Sequence, residues 1–596
     1  MSVPFPNDPR GLIGAVNVGD FEACNALVAK VVSNRAILQT CGRYFAAITK
    51  PLVGDELDRL RTDPGGAKAV VGILTQHPAF TEDRRLPGAA PVFGSPSDDP
   101  AEFDARREVA EFLAVGTGAL LAENRLDERA AQVLVDIADY VTDYSISSSA
   151  AYPIARFCLM DALGCAVEAL NFPECTKLLG PVVRGTLVPN GARVPGTSYQ
   201  LDPVKAAFDL GTMIRWLDMN DTFTAAQGSH PSDNLAGILM LADHLSRRNA
   251  AAGRKPLVVR DVLDSLIKAY EIQGCIAIEN DFKDMGIDHN LLTRVAGSAV
   301  LTRMLGGGRE EIINAVSNAW MDASLTAFRQ APNTGWRKSW AAADASFQAL
   351  RLALMAAKGE MGYPTVLSAK KYGFNDARNR GQVLRFQRPY GEYIIEHSMF
   401  KFVTAGMHSQ SAVECAFRLH PVVKDRIGDI ERVELHSQRA LMGIMHKTGP
   451  LHNPADRDHC AQYVVAVGLI FGRLTARDFE DDVAADPRID ALREKTVVTE
   501  DPRYSRDFVD PEKRSSANAV QVFFKDGTST PKVEIEYPAG HPRRRAEFLP
   551  VLNAKLEASL ARRFAPKQCR RILEACGDAA ALARMPAHEF VDLFVS

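Results

Sequence analysis

The sequence carries no excess of charge of either sign: 70 Lys and Arg stand against 73 Asp and Glu, a formal net charge of -3 over 596 residues. Such a balance gives no general attraction for nucleic acid or an anionic membrane, so neither is expected as a partner. An anionic ligand must be held by local cations. Long apolar runs are also missing. The best stretches, Leu235–Ala242 and Tyr463–Phe471, break at charged or polar residues well short of a bilayer span. The N-terminus, MSVPFPNDPRGLIG, has no basic region leading into an apolar core and is not Arg/Ser-rich and acid-poor. A cytoplasmic location is the expectation. The 10 cysteines include no C-x-x-C pair, which excludes a zinc ribbon and a thiol redox motif. No H-E-x-x-H pair occurs. Most cysteines lie in apolar, helix-like surroundings such as FCLMDALGCAVEAL (157–170) and read as small buried hydrophobes. No internal repeat and no low-complexity tract breaks the chain.

What is there is helix. The length exceeds what one hydrophobic core usually serves, so at least two domains are expected. The first stretch, to about residue 128, reads as helical but is interrupted by a loop rich in Pro, Gly, Ser and Asp between Pro87 and Pro100. Helical patterns follow at 101–124 and 128–144. From Ser145 to about Ser398 one amphipathic helix follows another, including 151–170, 203–217, 234–248, 259–279, 309–323 and 339–358. Gly306–Gly308 opens one of these helices, and without a following Lys-Ser/Thr it reads as an entry turn, not a phosphate cradle. After Phe400 the texture changes. Ile430–Ser437, Asn518–Gly527 and Pro531–Pro538 alternate as strands do, with a hairpin turn at Lys525-Asp526-Gly527. Helices persist there, at 409–419 and 458–474. The tail, 548–596, is helical again and can pack back onto the first helical part.

The most unusual segment is RWLDMNDTFTAAQGSHPSDN, residues 215–234. A helix ends near Leu217 and another begins near Asn234, and between them crowd Asp218, Asp221, Thr222, Ser229, His230, Ser232 and Asp233. The start of the second helix offers free backbone N–H groups, suited to a carboxylate. Ser232 or Asp233 has an equally good reading as a plain N-cap. Asp218, Thr222 and His230 together in a Gly-containing loop point to chemistry.

This segment resembles the signature of the MmgE/PrpD family. Further stretches agree in order from about Val133 to the C-terminus, among them DYVTDYSISS (139–148), VPNGARVPGTSYQLDPVKAAFDLG (188–211), APNTGWRKSWAAADA (331–345), RFQRPYGEY (385–393), NPADRDHCAQY (453–463) and DPEKRSSANA (510–519). The resemblance implies a mainly α fold: a helical domain (129–398, completed by 548–596) and a smaller α+β lid domain (399–547). Residues 1–128 stand outside it as a helical extension of unknown role. It further implies a hydro-lyase that removes water from 2-methylcitrate or a related alkylcitrate or citrate, with no metal and no organic cofactor. A homodimer is the implied assembly.

Carried over residue by residue, the resemblance nominates Asp218, Thr222, His230, His289 (in GIDHNLL), Lys338 (in GWRKSW) and Tyr463 (in AQYVVA) as catalytic. Ser232, Asn234, Arg337, His408 and Arg544 are nominated to bind a tricarboxylate, Arg544 from a basic run, Arg543–Arg545, that the dehydratase branch carries. Each has a plainer reading. His289 can be a satisfied helix-end histidine, Tyr463 core, the Arg337–Lys338 pair a solvated face and the arginine run surface. Dehydration needs a base near neutrality, an acid for the leaving hydroxyl, and fixed cations to stabilise charge developing on a carboxylate. His230 or His289 is the expected base, with Asp218 orienting one imidazole. The other histidine or Tyr463 is the expected acid, and Lys338 with Arg337 the expected cations. The loop departs from the family's DFNDTW…EWGHPSDN at Met219, Phe223, Thr224 and Gln227–Ser229. The segment FKFVTAGMHSQ departs from the family's FPAEFHSQ. Both departures lie where substrate is read. The alternatives are a cis-aconitate decarboxylase, an alkylcitrate dehydratase of a secondary pathway, and an inactive scaffold or binding protein.

Overall fold

The computed structural model describes residues 132–330 and 333–595. The extension at 1–128, with its expected helices and with Cys24 and Cys41, lies outside the described residues. So do Ala331 and Pro332.

The first part is a stack of helices: α1 (132–143), α2 (Ala151–Ala169), α3 (Pro203–Arg215), α4 (Leu235–Ala251), α5 (Val259–Glu279), α6 (Asn290–Met304), α7 (Arg309–Ala319) and α8 (Arg337–Ala356). Their local chemistry explains where they begin. Pro203 sits in the first turn of α3, and the Asp202 carboxylate before it accepts from Val204 N at 3.0 Å and Lys205 N at 2.9 Å. That arrangement satisfies orphan N–H groups at a helix start. Gly308 precedes α7, as an entry turn should. α3 buries Leu210, Met213 and Ile214 completely. Each such side chain stabilises the fold by roughly 1.5–3 kcal/mol.

Close approach positions the site. A Cβ added to Gly211 on α3 would lie 2.9 Å from Ala343 Cα on α8. Glycine here lets the two helices meet nearly backbone to backbone. The C-terminal end of α3, which leads to Arg215 and Asp218, is thereby held against the helix that carries Lys338.

The later part is α+β. Strands β1 (Ile430–Ser437), β2 (Thr496–Glu500), β3 (Asn518–Phe524) and β4 (Val533–Ile535) form one sheet in the order β2-β1-β3-β4. β1 pairs parallel with β2 and antiparallel with β3, and β3 pairs antiparallel with β4. Gly527 takes φ +83 in the turn after β3, the conformation the Lys525-Asp526-Gly527 signal calls for. Helices α9 (Gln410–Val423) and α10 (Ala461–Phe471) cover the sheet, and α11 (Pro502–Val509) follows β2. β2, reading TVVTE, is the strand that alternation did not single out; it is short and pairs in parallel.

Two large hydrophobic cores stand out among the described residues. One joins α1–α8 to the C-terminal helices α12 (Arg545–Ala561) and α13 (Pro566–Gly577). The other runs from Val403 to Ile535. No helix among the described residues is long and apolar enough to cross a membrane.

Candidate active site

α3 ends at Arg215, and the chain turns sharply at Asp218, whose φ of +49 is left-handed. Such a conformation is uncommon for a residue other than Gly and costs energy, so surrounding contacts must fix it. Here they do. Arg215 pairs with the Asp218 carboxylate. Lys401, between the two cores, donates to the Asp218 main-chain carbonyl at 2.7 Å and stands 3.1 Å from its Oδ1. Thr222 and Met399 exchange two main-chain hydrogen bonds, each 2.8 Å, which ties the loop to the same segment. Asp218, Arg215 and Lys401 are all buried.

Two imidazoles flank this carboxylate. Nε2 of His230 lies 3.6 Å from Asp218 Oδ1, and Nε2 of His459 lies 3.6 Å from Oδ2. His230 Nδ1 sits 2.8 Å from the Asp221 carbonyl. A carbonyl only accepts, so Nδ1 carries the hydrogen and Nε2 of the neutral ring presents a lone pair. The His289 ring lies 5.7 Å from that of His230, and its buried Nε2 makes no hydrogen bond among the described residues and stands 3.8 Å from Asp233 Oδ2. Its Nδ1 is 3.4 Å from Asp288, which Arg329 holds at 2.5 Å. Behind His459, Asp458 accepts from Lys338 at 2.5 Å.

Burial and charge set the protonation states. Burial alone would raise the pKa of Asp218, but Arg215, Lys401 and the two imidazoles outweigh it and hold the carboxyl well below the ordinary range. Burial, reinforced by Arg215 and Lys401, pushes His230 well below the usual imidazole value. Burial and Lys338 bring His459 to about 4. Lys401 is lowered to about 8 by burial, with Asp218 opposing and Arg215 adding to the shift. Burial would raise Asp288, but Arg329 and His289 bring it to about 2. At neutral pH the cluster therefore holds neutral His230 and His459 among ionised Asp218, Asp288 and buried cations.

His289 links this cluster to a cleft of about 860 Å³ that runs between the helical part and the lid. His408 lines the same cleft, its Nδ1 without a partner among the described residues and its pKa lowered to about 3 by burial and nearby Lys283. Phe508 and Ile444 give one wall an apolar character.

The structure thus brings together Asp218, His230, His289 and Lys338, with His408 at the cleft. Thr222 is beside them, its hydroxyl donating to Ser229 O at 2.9 Å. Ser232 and Asp233 do not cap the following helix. Both accept from Asn220, Ser232 at 2.9 Å and Asp233 at 3.0 Å, which braces the loop internally. Asn234 donates to Gln273 at 2.7 Å. Three nominated residues stand elsewhere. Tyr463 donates to the Asp478 carbonyl at 2.7 Å and stacks on Phe479 inside the second core. Arg337 lies over the Trp340 ring at 4.4 Å. Arg544 pairs with Glu414 and Glu547, each at 3.0 Å. Their partners satisfy them where they are.

Sequence reasoning passed over Arg215, Lys401, Asp458, His459, Asp288 and Arg329. Arg215 and Asp218 stand three apart, and Asp458-His459 lies inside a stretch that resembles the family. Those were the available signals. Among the described residues no three His, Cys, Asp or Glu side chains are grouped to hold a metal ion.

Known proteins match along nearly all of the described chain. The MmgE/PrpD N-terminal domain model matches residues 135–387, and the MmgE/PrpD C-terminal domain model residues 404–579. A 2-methylcitrate dehydratase of Cupriavidus necator is 57% identical over 468 residues, covering 78% of this chain and 97% of the relative. That of Escherichia coli is 56% identical over 467 residues, covering 78% and 97%. A mitochondrial 2-methylcitrate dehydratase of Yarrowia lipolytica is 47% identical over 516 residues, covering 85% and 98%. Family models over both parts, and relatives matched over almost their whole length, lead to one conclusion: the chain belongs to the MmgE/PrpD family.

Proposed function

We propose that this chain is a hydro-lyase that eliminates water from 2-methylcitrate to give 2-methyl-cis-aconitate, a step of the methylcitrate cycle of propionate catabolism. The observation that carries the reading is the state of His230. Its Nδ1–H is committed to the Asp221 carbonyl, and its free Nε2 lies 3.6 Å from an ionised Asp218. That distance is too long for a hydrogen bond in the resting state. It suits a ring that takes a proton and then needs a counter-charge.

The proton removed stands next to a carboxylate that is already charged, so the difficulty is the extra negative charge on that group. Lys401 and Lys338, buried and oriented before substrate arrives, supply fixed positive charge. Losing one such group costs about 3–4 kcal/mol of barrier. His230 takes the proton. His289, whose Nε2 makes no hydrogen bond among the described residues and which has the ionised Asp288 behind it, donates to the tertiary hydroxyl, which leaves as water. Ser232 and Asn234 shape the loop from behind, and His408 meets substrate from the lid side. Closure of the lid over the cleft excludes bulk water. The chemistry asks nothing of a metal or an organic cofactor.

The names of the relatives, at 56–57% identity, support this substrate. A cytoplasmic location belongs to the same reading, supported by eight described cysteines that are all free and buried. Cell fractionation tests it. For the reaction, purified protein is given 2-methylcitrate, citrate and cis-aconitate separately and the products are identified. Loss of water from 2-methylcitrate is expected. Release of carbon dioxide from cis-aconitate, without dehydration, contradicts the proposal.

A further inference from the structure

A second cavity, of about 660 Å³, lies on the far side of the catalytic loop and plays no part in the chemistry above. Arg388, Arg514, Arg543 and Lys513 line it, against Glu512 as its single lining carboxylate. Lys513 is neutralised by Asp507 at 2.9 Å. The three arginines have no ion-pair partner among the described residues. They are held in place by other means. Arg388 stacks on the Tyr393 ring at 3.4 Å. Arg514 donates to the Thr224 carbonyl at 2.8 Å, and its buried Nε has no acceptor. Arg543 donates to the Glu512 carbonyl at 2.6 Å. Arg514 also sits at φ +43, a left-handed conformation that costs energy and aims its side chain at Thr224 and this cavity. His541, at the cavity edge, is lowered to about 4 by burial, with Arg543 and Arg545 adding to the effect.

We propose that this cavity binds a small phosphate-bearing anion. Three unpaired guanidinium groups less one carboxylate leave about two positive charges to match. A phosphate monoester carries about -1.5 to -2 in one group, whereas a carboxylate carries only one charge. Guanidinium forks also suit the oxygens of phosphate, which they bind in pairs. The position gives such a ligand a consequence. Thr224, whose carbonyl Arg514 holds, and Met399, which pairs with Thr222, both line the cavity. An anion there braces the back of the loop that carries Asp218 and His230.

Titration calorimetry of the purified chain with inorganic phosphate, at fixed ionic strength, tests this. Saturable one-site binding is expected, weakened at least ten-fold in the double variant Arg388→Gln/Arg543→Gln, whose Tm stays that of the parent. In Lys401→Met, whose ammonium meets Asp218 and no residue lining this cavity, affinity is expected to stay within two-fold. No saturable binding, or equal binding by the double variant, overturns the proposal. So does loss of binding in Lys401→Met alone, which would place the anion in the active site. Because the readout is binding, failure of the proposed dehydration leaves this test intact.

Discussion

Lys401 holds Asp218 at two points, donating to its main-chain carbonyl at 2.7 Å and standing 3.1 Å from its side-chain Oδ1. A lysine from the junction of the two cores therefore fixes both the strained backbone and the charge of the aspartate at the end of α3. Lys401→Met removes the ammonium but keeps the volume. Turnover is expected to fall by about 10²–10³. Steady-state kinetics with 2-methylcitrate check this, alongside a melt to show that the variant is folded.

The same residue is expected to set the alkaline edge of activity. Lys401 is charged below its pKa of about 8 and neutral above it. kcat/KM is expected to decline as pH rises through about 8, and in Lys401→Arg the decline should move to higher pH, because a guanidinium keeps its proton. On the acid side, burial and neighbouring cations keep His230 neutral well below the usual imidazole range. No loss of activity is expected around pH 6.5. A pH–rate profile for both proteins checks both edges.

His230→Asn and His289→Asn separately remove the two imidazoles that move protons. Each is expected to lower kcat by about 10²–10⁴, the usual contribution of a positioned acid or base. Near-normal kcat in both variants contradicts the roles given to them.

Tyr463→Phe separates placement from resemblance. The hydroxyl donates to the Asp478 carbonyl within the second core, so the change should cost about 1 kcal/mol of stability. kcat should change by less than three-fold. Denaturant unfolding and kinetics on the same preparation report both quantities.

Gly211→Ala probes the contact beneath the site. The new methyl would meet Ala343 Cα at 2.9 Å, so α3 and α8 must separate. A loss of about 1–3 kcal/mol is expected, read as a lower unfolding midpoint.

These residues also show what the sequence could and could not disclose. Helical periodicity placed α5 at its observed limits, Val259–Glu279, because a buried stripe repeats over five turns. Alternation located β1 and β3. It missed β2, which is five residues long and finds its partner across a long connection. Asp218, Thr222 and His230 stood out because polar groups crowd one short loop. Lys401 did not, since a single lysine in an apolar run has no local signature. Its role arises from meeting Asp218 across 183 residues of chain. Tyr463 lies on an apolar helix, and only packing decides whether such a hydroxyl faces a site or a core.

The most direct test of the account follows 2-methylcitrate by NMR in chelator-treated buffer, with the parent chain and His230→Asn side by side. Steady conversion to 2-methyl-cis-aconitate by the parent, and conversion at least a hundred-fold slower by the variant, is the predicted result. Unchanged 2-methylcitrate with the parent, or equal rates for the two proteins, would contradict it.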